Sequence, residues 1–364
     1  MDARSTPACL PEHATTGPTQ TPRSASVQAH SLVSPRIGEV ELERFELPEE
    51  LPPGSILARA GVTIVSAGTE VANYLGRTTE RPPERTEPYY PGYSFAGEVV
   101  AVGEGMERFA PGDRITGPLP HTSMAIEARP ERLQRITQIP DGVSDRAAAF
   151  SQLSCIALNG VRKADIQLGD RVAVVGAGLV GLLAARLAQL NGGHPVVSYD
   201  LVAERRAKAL AFGMSAAIDP SAATAEAETA AIAPDGFDVV IEATGAASAF
   251  VPALKLAAQG ARVILLGSTR GTVEGFSPYS EAHRKGLSII GARVWTAPTH
   301  ATVHDKWTEP ANRRVLLSLM QEGSFDVTQL VTHDIAPSEA GVAFAGLAAE
   351  PDKYLGVEID WSRL

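Results

Sequence analysis

The hexapeptide Gly176-Ala177-Gly178-Leu179-Val180-Gly181 constrains this chain more than any other feature, because it directly follows the apolar run "VAVV" and opens the helical pattern "LVGLLAARLAQL". In that setting the three glycines have separate tasks. Gly176 permits the tight turn from strand to helix, Gly178 lets a pyrophosphate approach the backbone, and Gly181 lets helix and strand pack closely. The helix N-terminus adds roughly half a positive charge facing the anion. The next apolar run, "PVVSYD", ends in Asp200, at about the 20-residue distance where a carboxylate accepts hydrogen bonds from adenosine ribose hydroxyls. That carboxylate would repel a 2′-phosphate, so the reading is NAD(H) over NADP(H), although Arg205 and Arg206 follow and are placed to meet a phosphate. Leu179 and Val180 within the motif, Arg205, Thr244 and Gly245 after "VVIEA", and Gly267 after "ARVILL" complete the expected cofactor contacts. They fall at the carboxyl edge of the sheet, where doubly wound folds bind ligands.

The surrounding chain supports that placement. From Arg171 onward, apolar runs such as "PVVSYD", "GFDVVIEATG" and "ARVILLGS" alternate with helical patterns, which predicts right-handed crossovers and a parallel sheet. Upstream, "SILARAGVTIV", "SFAGEVVAVG" and "DRIT" are short β-rich runs broken by Gly and Pro, the texture of an all-β, barrel-like region. At about Asp145 this gives way to the Ala-rich helical stretch "DRAAAFSQLSCIALNGVRKA". The last segment, "VTHDIAPSEAGVAFAGLAAEPDKYLGVEIDW", reads as strand, helix, strand returning to the first domain. At 364 residues the chain exceeds what one hydrophobic core organises, so two domains are expected. The division runs 32–155 plus 327–364 for the β-rich domain and 156–326 for the parallel-sheet domain. Residues 1–31, rich in Ser, Thr, Pro, Ala and Gln without a hydrophobic period, read as a disordered tail.

Composition removes several function classes. A net charge of −10 argues against a nucleic-acid partner, which would need clustered Lys and Arg. No apolar run approaches the roughly 20 residues that cross a bilayer, and no signal-peptide core is visible, so a cytoplasmic protein is expected. The two cysteines, Cys9 and Cys155, can assemble neither a disulfide framework nor a thiolate zinc cage. The eight histidines are scattered, with no i, i+4 pair on a helix.

The stretches "SAGTEVANYLG", "PGYSFAGEVVAVG", "FAPGDRI", "ITQIPDGVSDRAAAF", "GDRVAVVGAGLVGLLAARLAQ" and "FDVVIEATG" together resemble the medium-chain dehydrogenase/reductase superfamily from about Ile37 to the C-terminus. The alcohol, sorbitol and threonine dehydrogenases are nearest in feel. The resemblance implies a GroES-like β-rich catalytic domain followed by a Rossmann domain of doubly wound α/β type, with nicotinamide and substrate meeting in the cleft between them. It also implies a homodimer or homotetramer, the stretch "GLSIIGARVWTAP" pairing with its twin at the sheet edge.

The chain departs from the zinc enzymes of that superfamily where they carry ligands. Ala67 stands in place of a Cys, Tyr93 and Ser94 in place of the pair after Gly92, and Ser151 in place of the third ligand; the cysteine-rich lobe is missing. No metal is therefore expected. Without a Lewis acid, the oxygen that changes charge during hydride transfer needs hydrogen-bond donors and a proton carrier. Thr69 stands where zinc alcohol dehydrogenases keep the hydroxyl that starts the proton relay. Tyr93 puts a phenol in the vacated space, either as an acid/base whose pKa an apposed cation lowers or as a filler. Glu70 would orient Thr69, act as a base or form a structural ion pair. Tyr74 and His121 are weaker candidates. The leading expectation is a zinc-independent NAD(H)-dependent oxidoreductase of a small secondary alcohol such as a polyol, cyclitol or biosynthetic intermediate. "SAGTE" is similar to the zinc-less branch that contains bacteriochlorophyllide dehydrogenases. A zinc-free enone or quinone reductase and a non-catalytic NAD(H)-binding module remain alternatives.

Overall fold

Val172–Val175 has no polar residue to give to water, so a strand built from it must be covered on both faces. The computed structural model describes residues 28–77, 88–268, 270–298, 300–302 and 305–364. It places this strand inside a six-stranded parallel sheet with the order Ala216–Ile218, Val196–Tyr199, Val172–Val175, Phe237–Glu242, Ala257–Leu265, Ser288–Gly291. All four of its residues are buried. One face packs against helices Ser151–Ala164 and Leu179–Leu190, the other against a separate core around Phe237, Val240, Leu254 and Val263. Strand order reverses between Val172–Val175 and Phe237–Glu242, which opens a crevice at their carboxyl ends. Ser288–Gly291 ends the sheet, with Ile289 exposed on it.

The second sheet is mostly antiparallel. Its order is Val331–Ile335, Gly356–Asp360, Ile56–Ile64, Phe95–Val102, Arg114–Gly117, Thr137–Gln138, with Met124–Glu127 also pairing Ile56–Ile64. The nine-residue strand Ile56–Ile64 serves two partners on one edge: residues 56–59 face Met124–Glu127, and residues 62–64 face Gly356–Asp360. The C-terminal segment thus joins this sheet, and Trp361 Nε1 donates to Thr63 Oγ1 at 3.0 Å. This is the GroES-like domain beside a Rossmann-type domain.

Two expectations change. Most of the expected tail, residues 1–27, lies outside the described residues, but residues 28–31 are structured. They belong to the strand Gln28–Val33, which pairs antiparallel with Glu41–Glu46 and buries Ala29, Leu32 and Val33. The pairing partner satisfies backbone groups that composition alone does not foresee. The division expected after residue 155 falls inside the continuous helix Ser151–Ala164, whose buried face packs on Leu179–Leu190. The long helical stretch itself breaks at Phe150 into Asp145–Ala149, capped by the Ser144 hydroxyl accepting from Ala147 N–H, and Ser151–Ala164.

At Gly181 an added Cβ would lie 1.8 Å from the Gly176 carbonyl oxygen, so the helix can sit this close to the turn only without a side chain. Gly181→Ala is expected to destabilise the protein by about 1–3 kcal/mol through overpacking and to weaken NADH binding. Denaturant unfolding and NADH fluorescence titration measure both, and unchanged values would remove the role given to this close approach.

Candidate active site

A cleft of about 980 Å³ lies between the carboxyl edge of the parallel sheet and the helix Thr69–Tyr74 of the β-rich domain. Its sheet side is made by glycines. Gly176 has φ +97°, a left-handed conformation that L side chains resist, and its N–H donates to the Tyr199 carbonyl at 2.7 Å. Gly178 opens Leu179–Leu190 in extended conformation, and a Cβ there would meet nothing within 4 Å. The space above Gly178 is open, and the helix carries no side-chain cap, so its first amides face the cleft without a protein acceptor from a capping side chain. That cradle suits the pyrophosphate of a dinucleotide.

Asp200 is held at the adenosine end by Ala177 N–H donating to Oδ2 at 2.7 Å and Val202 N–H donating to Oδ1 at 2.8 Å. Each oxygen keeps a further lone pair for a ribose hydroxyl. Arg205 lines the cleft, with Nε donating to the Pro351 carbonyl at 3.1 Å. Arg206 is turned away, paired with Asp219 at 3.2 Å and donating to the carbonyls of Asp200 and Leu201. Leu179 and Val180 line the wall. Thr244 and Gly245 form the floor because the buried Glu242 carboxylate accepts the Thr244 N–H at 2.7 Å, the Thr244 hydroxyl and the Gly245 N–H at 3.3 Å. Gly267 belongs to the same floor, where a Cβ would come within 2.4 Å of the Gly245 nitrogen. Every expected cofactor residue except Gly181, which acts from behind through its packing, therefore borders one cleft.

The opposite wall carries hydroxyls. Tyr93 OH donates to Ser66 Oγ at 2.5 Å, and the Thr69 hydroxyl lies near enough to act on this phenol. Ser66, Thr69 and Tyr93 all line the cleft. Gly92 positions the ring: with φ +108° and a Cβ site 2.2 Å from the His121 nitrogen, no other residue fits before Tyr93. Burial first, and the Glu70 carboxylate second, push the Tyr93 phenol up to about 12, against the Ser66 and Thr69 hydroxyls and the Arg270 charge. Among the protein's own groups, desolvation and Glu70 outweigh Arg270, which leaves the phenol a neutral donor to Ser66.

Glu70 does not border the cleft. Its Oε1 accepts the Ser66 N–H at 3.0 Å, its Oε2 lies 2.9 Å from His121 Nε2, and neither side chain reaches solvent. Glu70 and His121 are therefore supports of the Ser66 turn. Tyr74 packs against Phe344 in the β-rich core, with ring centroids 6.0 Å apart. The positions at which the zinc enzymes of the resembled superfamily carry ligands do not fit a metal. Ala67 has no donor, Tyr93 spends its hydroxyl on Ser66, and buried Ser151 Oγ lies 2.9 Å from Thr116 Oγ1. Among the described residues no group of three or more His, Cys, Asp or Glu could hold a metal ion. Sequence reasoning did not single out Ser66, Gln152, Arg270 or Arg293, all of which line the cleft. Only Ser66 carried a signal, its neighbourhood to Thr69.

Comparison with known proteins agrees with this geometry. Residues 180–309 match the family "Zinc-binding dehydrogenase", and residues 59–152 match "Alcohol dehydrogenase GroES-like domain". A sorbitol dehydrogenase of Halalkalibacterium halodurans is 27% identical over 80% of this chain and 89% of its own. A 2-desacetyl-2-hydroxyethyl bacteriochlorophyllide A dehydrogenase of Cereibacter sphaeroides is 27% identical over 89% and 95%. A solved structure from Sinorhizobium meliloti 1021, described as a zinc-binding dehydrogenase bound to NADP, superposes with TM-score 0.74 over 92% of this chain and 99% of that one, at 22% identity. With a nicotinamide-type cradle on one wall and the GroES-like domain supplying the other, the chain belongs to the medium-chain dehydrogenase/reductase superfamily of alcohol- and polyol-dehydrogenase-like oxidoreductases.

Proposed function

We propose that the protein is a zinc-independent, NAD(H)-dependent oxidoreductase that interconverts a small secondary alcohol and its ketone. The observation that carries this reading is the Ser66–Thr69–Tyr93 hydroxyl cluster facing the glycine cradle across one cleft, at positions whose donor set does not suit zinc. A bound nicotinamide supplies the hydride acceptor or donor. The chain's own groups handle the oxygen. Tyr93, whose phenol is pushed up to about 12, stays neutral at physiological pH and spends its proton on Ser66 Oγ, so the Ser66 hydroxyl keeps its own proton to offer the substrate oxygen as negative charge builds there. Ser66 Oγ accepts from that phenol and Thr69 on the same turn is partly exposed, so a proton leaving the alcohol passes by way of these hydroxyls to water. The buried Glu70 carboxylate keeps the Ser66 turn in place.

The cofactor choice rests on Asp200. Its backbone hydrogen bonds fix the carboxylate at the strand end, and a 2′-phosphate would be set against it. Arg206 is occupied with Asp219, which leaves Arg205 as the nearer cation. NADH is expected to bind at least about tenfold more tightly than NADPH, and Asp200→Ala should shrink the gap. Fluorescence titration with both cofactors decides this; equal or reversed affinities would refute the role of Asp200.

Thr69→Val should preserve NADH affinity while kcat falls by roughly 10² to 10³, the usual cost of one lost donor to a developing oxyanion. Tyr93→Phe should also lower kcat. Any ionisation seen in the pH–rate profile below about pH 10 should survive this change, since the phenol is raised well above its ordinary value. The assay is NADH absorbance with a panel of secondary alcohols, cyclitols, ketones and enones. If both variants keep full activity, the hydroxyl cluster is not the catalytic apparatus.

A further inference from the structure

Gln152 is almost wholly buried yet borders the cleft, and its two amide atoms have different fates. Oε1 accepts from Nη2 of Arg313, a fully buried guanidinium whose Nη2 also donates to Glu309 Oε1 at 2.8 Å. Arg313 Nη1 donates to the Arg135 carbonyl, and Arg135 in turn pairs with Glu309 Oε2 at 2.5 Å. A guanidinium has only donors, so Arg313 compels the amide to turn its oxygen inward. The NH2 group is then left over, and Nε2 has no partner among the described residues. A buried donor without an acceptor is costly by itself. It stops being so when an acceptor arrives from the cleft.

The charges bordering the cleft say what kind of acceptor. Asp200 is the one carboxylate among the described lining residues, against the guanidiniums of Arg205 and Arg270, in a chain of net charge −10. Asp200 and Arg205 stand at the adenosine end. Arg270 borders the cleft on the loop after Ala257–Leu265, on the sheet side, and its charge reaches the Tyr93 phenol, more weakly than that of the buried Glu70 behind the wall. The nicotinamide end therefore presents donors and positive charge with no acid among its described lining residues.

Building on the alcohol–ketone reading above, we infer that the substrate carries a carboxylate and that Gln152 Nε2 and the Arg270 guanidinium are the groups that receive it. The substrate class is a hydroxy acid, with the secondary alcohol directed at the hydroxyl cluster and the acid group at these donors. Gln152 determines specificity, and Arg313 is a positioning residue acting through it.

The test compares matched pairs that differ only in carboxylate against hydroxymethyl: D-gluconate with D-sorbitol, and 3-hydroxybutyrate with butane-1,3-diol. Calorimetry on the NAD-loaded protein is expected to show at least one acid binding about tenfold or more tightly than its neutral partner. Gln152→Glu keeps the acceptor for Arg313 while replacing the donor by a second acceptor. It should leave the melting temperature and NADH affinity unchanged and weaken the acid by about 10²-fold, leaving the neutral partner nearly unaffected. Arg270→Gln should act in the same direction. Equal binding within both pairs, or acid binding untouched by Gln152→Glu, overturns the inference. Variants that weaken NADH and spare the acid also overturn it, by assigning these donors to the cofactor. Acid binding without NADH formation from any alcohol would count against the dehydrogenase reading while upholding the carboxylate site. Turnover of the neutral alcohols with no preference for the acids would do the reverse.

Discussion

The Glu70 carboxylate, shut away from water between the Ser66 N–H and His121 Nε2, is the constraint on which the hydroxyl-bearing wall of the cleft depends. Removing one partner leaves a buried carboxylate short of a hydrogen bond, which typically costs about 1–3 kcal/mol or more. The turn at Ser66–Gly68 is therefore held from behind, and the hydroxyls of Ser66 and Thr69 are presented from a fixed backbone. Gly92 adds the second restraint, since only a residue without a side chain lets Tyr93 enter beside His121. What would otherwise be a loop at a cleft edge becomes a preorganised set of donors, the arrangement that stabilises developing charge without reorganisation.

The facing wall obeys a different constraint, close approach of backbone. Gly176, Gly181, Gly245 and Gly267 are each pressed against neighbouring atoms, whereas Gly178 opens on empty space. The contrast separates glycines that let the sheet and its loops interlock from the one that leaves room for a ligand. Between the walls, Gln152 and Arg313 form a buried link from the cleft to the helix Glu309–Gln321.

The cofactor wall was legible in the sequence because its signals are local. The Gly176 to Gly181 motif, Asp200 at the end of the next strand and Thr244–Gly245 lie at strand ends, and strand ends are readable from hydrophobic runs. The GroES-like half was legible in outline through short β-rich runs. The strand Gln28–Val33 was not, since its order comes from pairing with Glu41–Glu46 across an intervening turn. The partners of Glu70 and Gln152 were hidden for a similar reason. Glu70 reaches His121, 51 residues on, and Gln152 reaches Arg313, 161 residues on, and only the fold reveals which way each side chain faces. Tyr93 was visible as a phenol in the space a ligand would fill, but its titration depends on burial, which no spacing conveys.

In the proposed function the oxygen chemistry belongs to Ser66, Thr69 and Tyr93 in place of a metal. Elemental analysis and turnover measured on one preparation, before and after exhaustive chelation, test it most directly. The account predicts well under one zinc per chain and an unchanged rate. Stoichiometric zinc whose removal abolishes turnover, and whose return restores it, would contradict it.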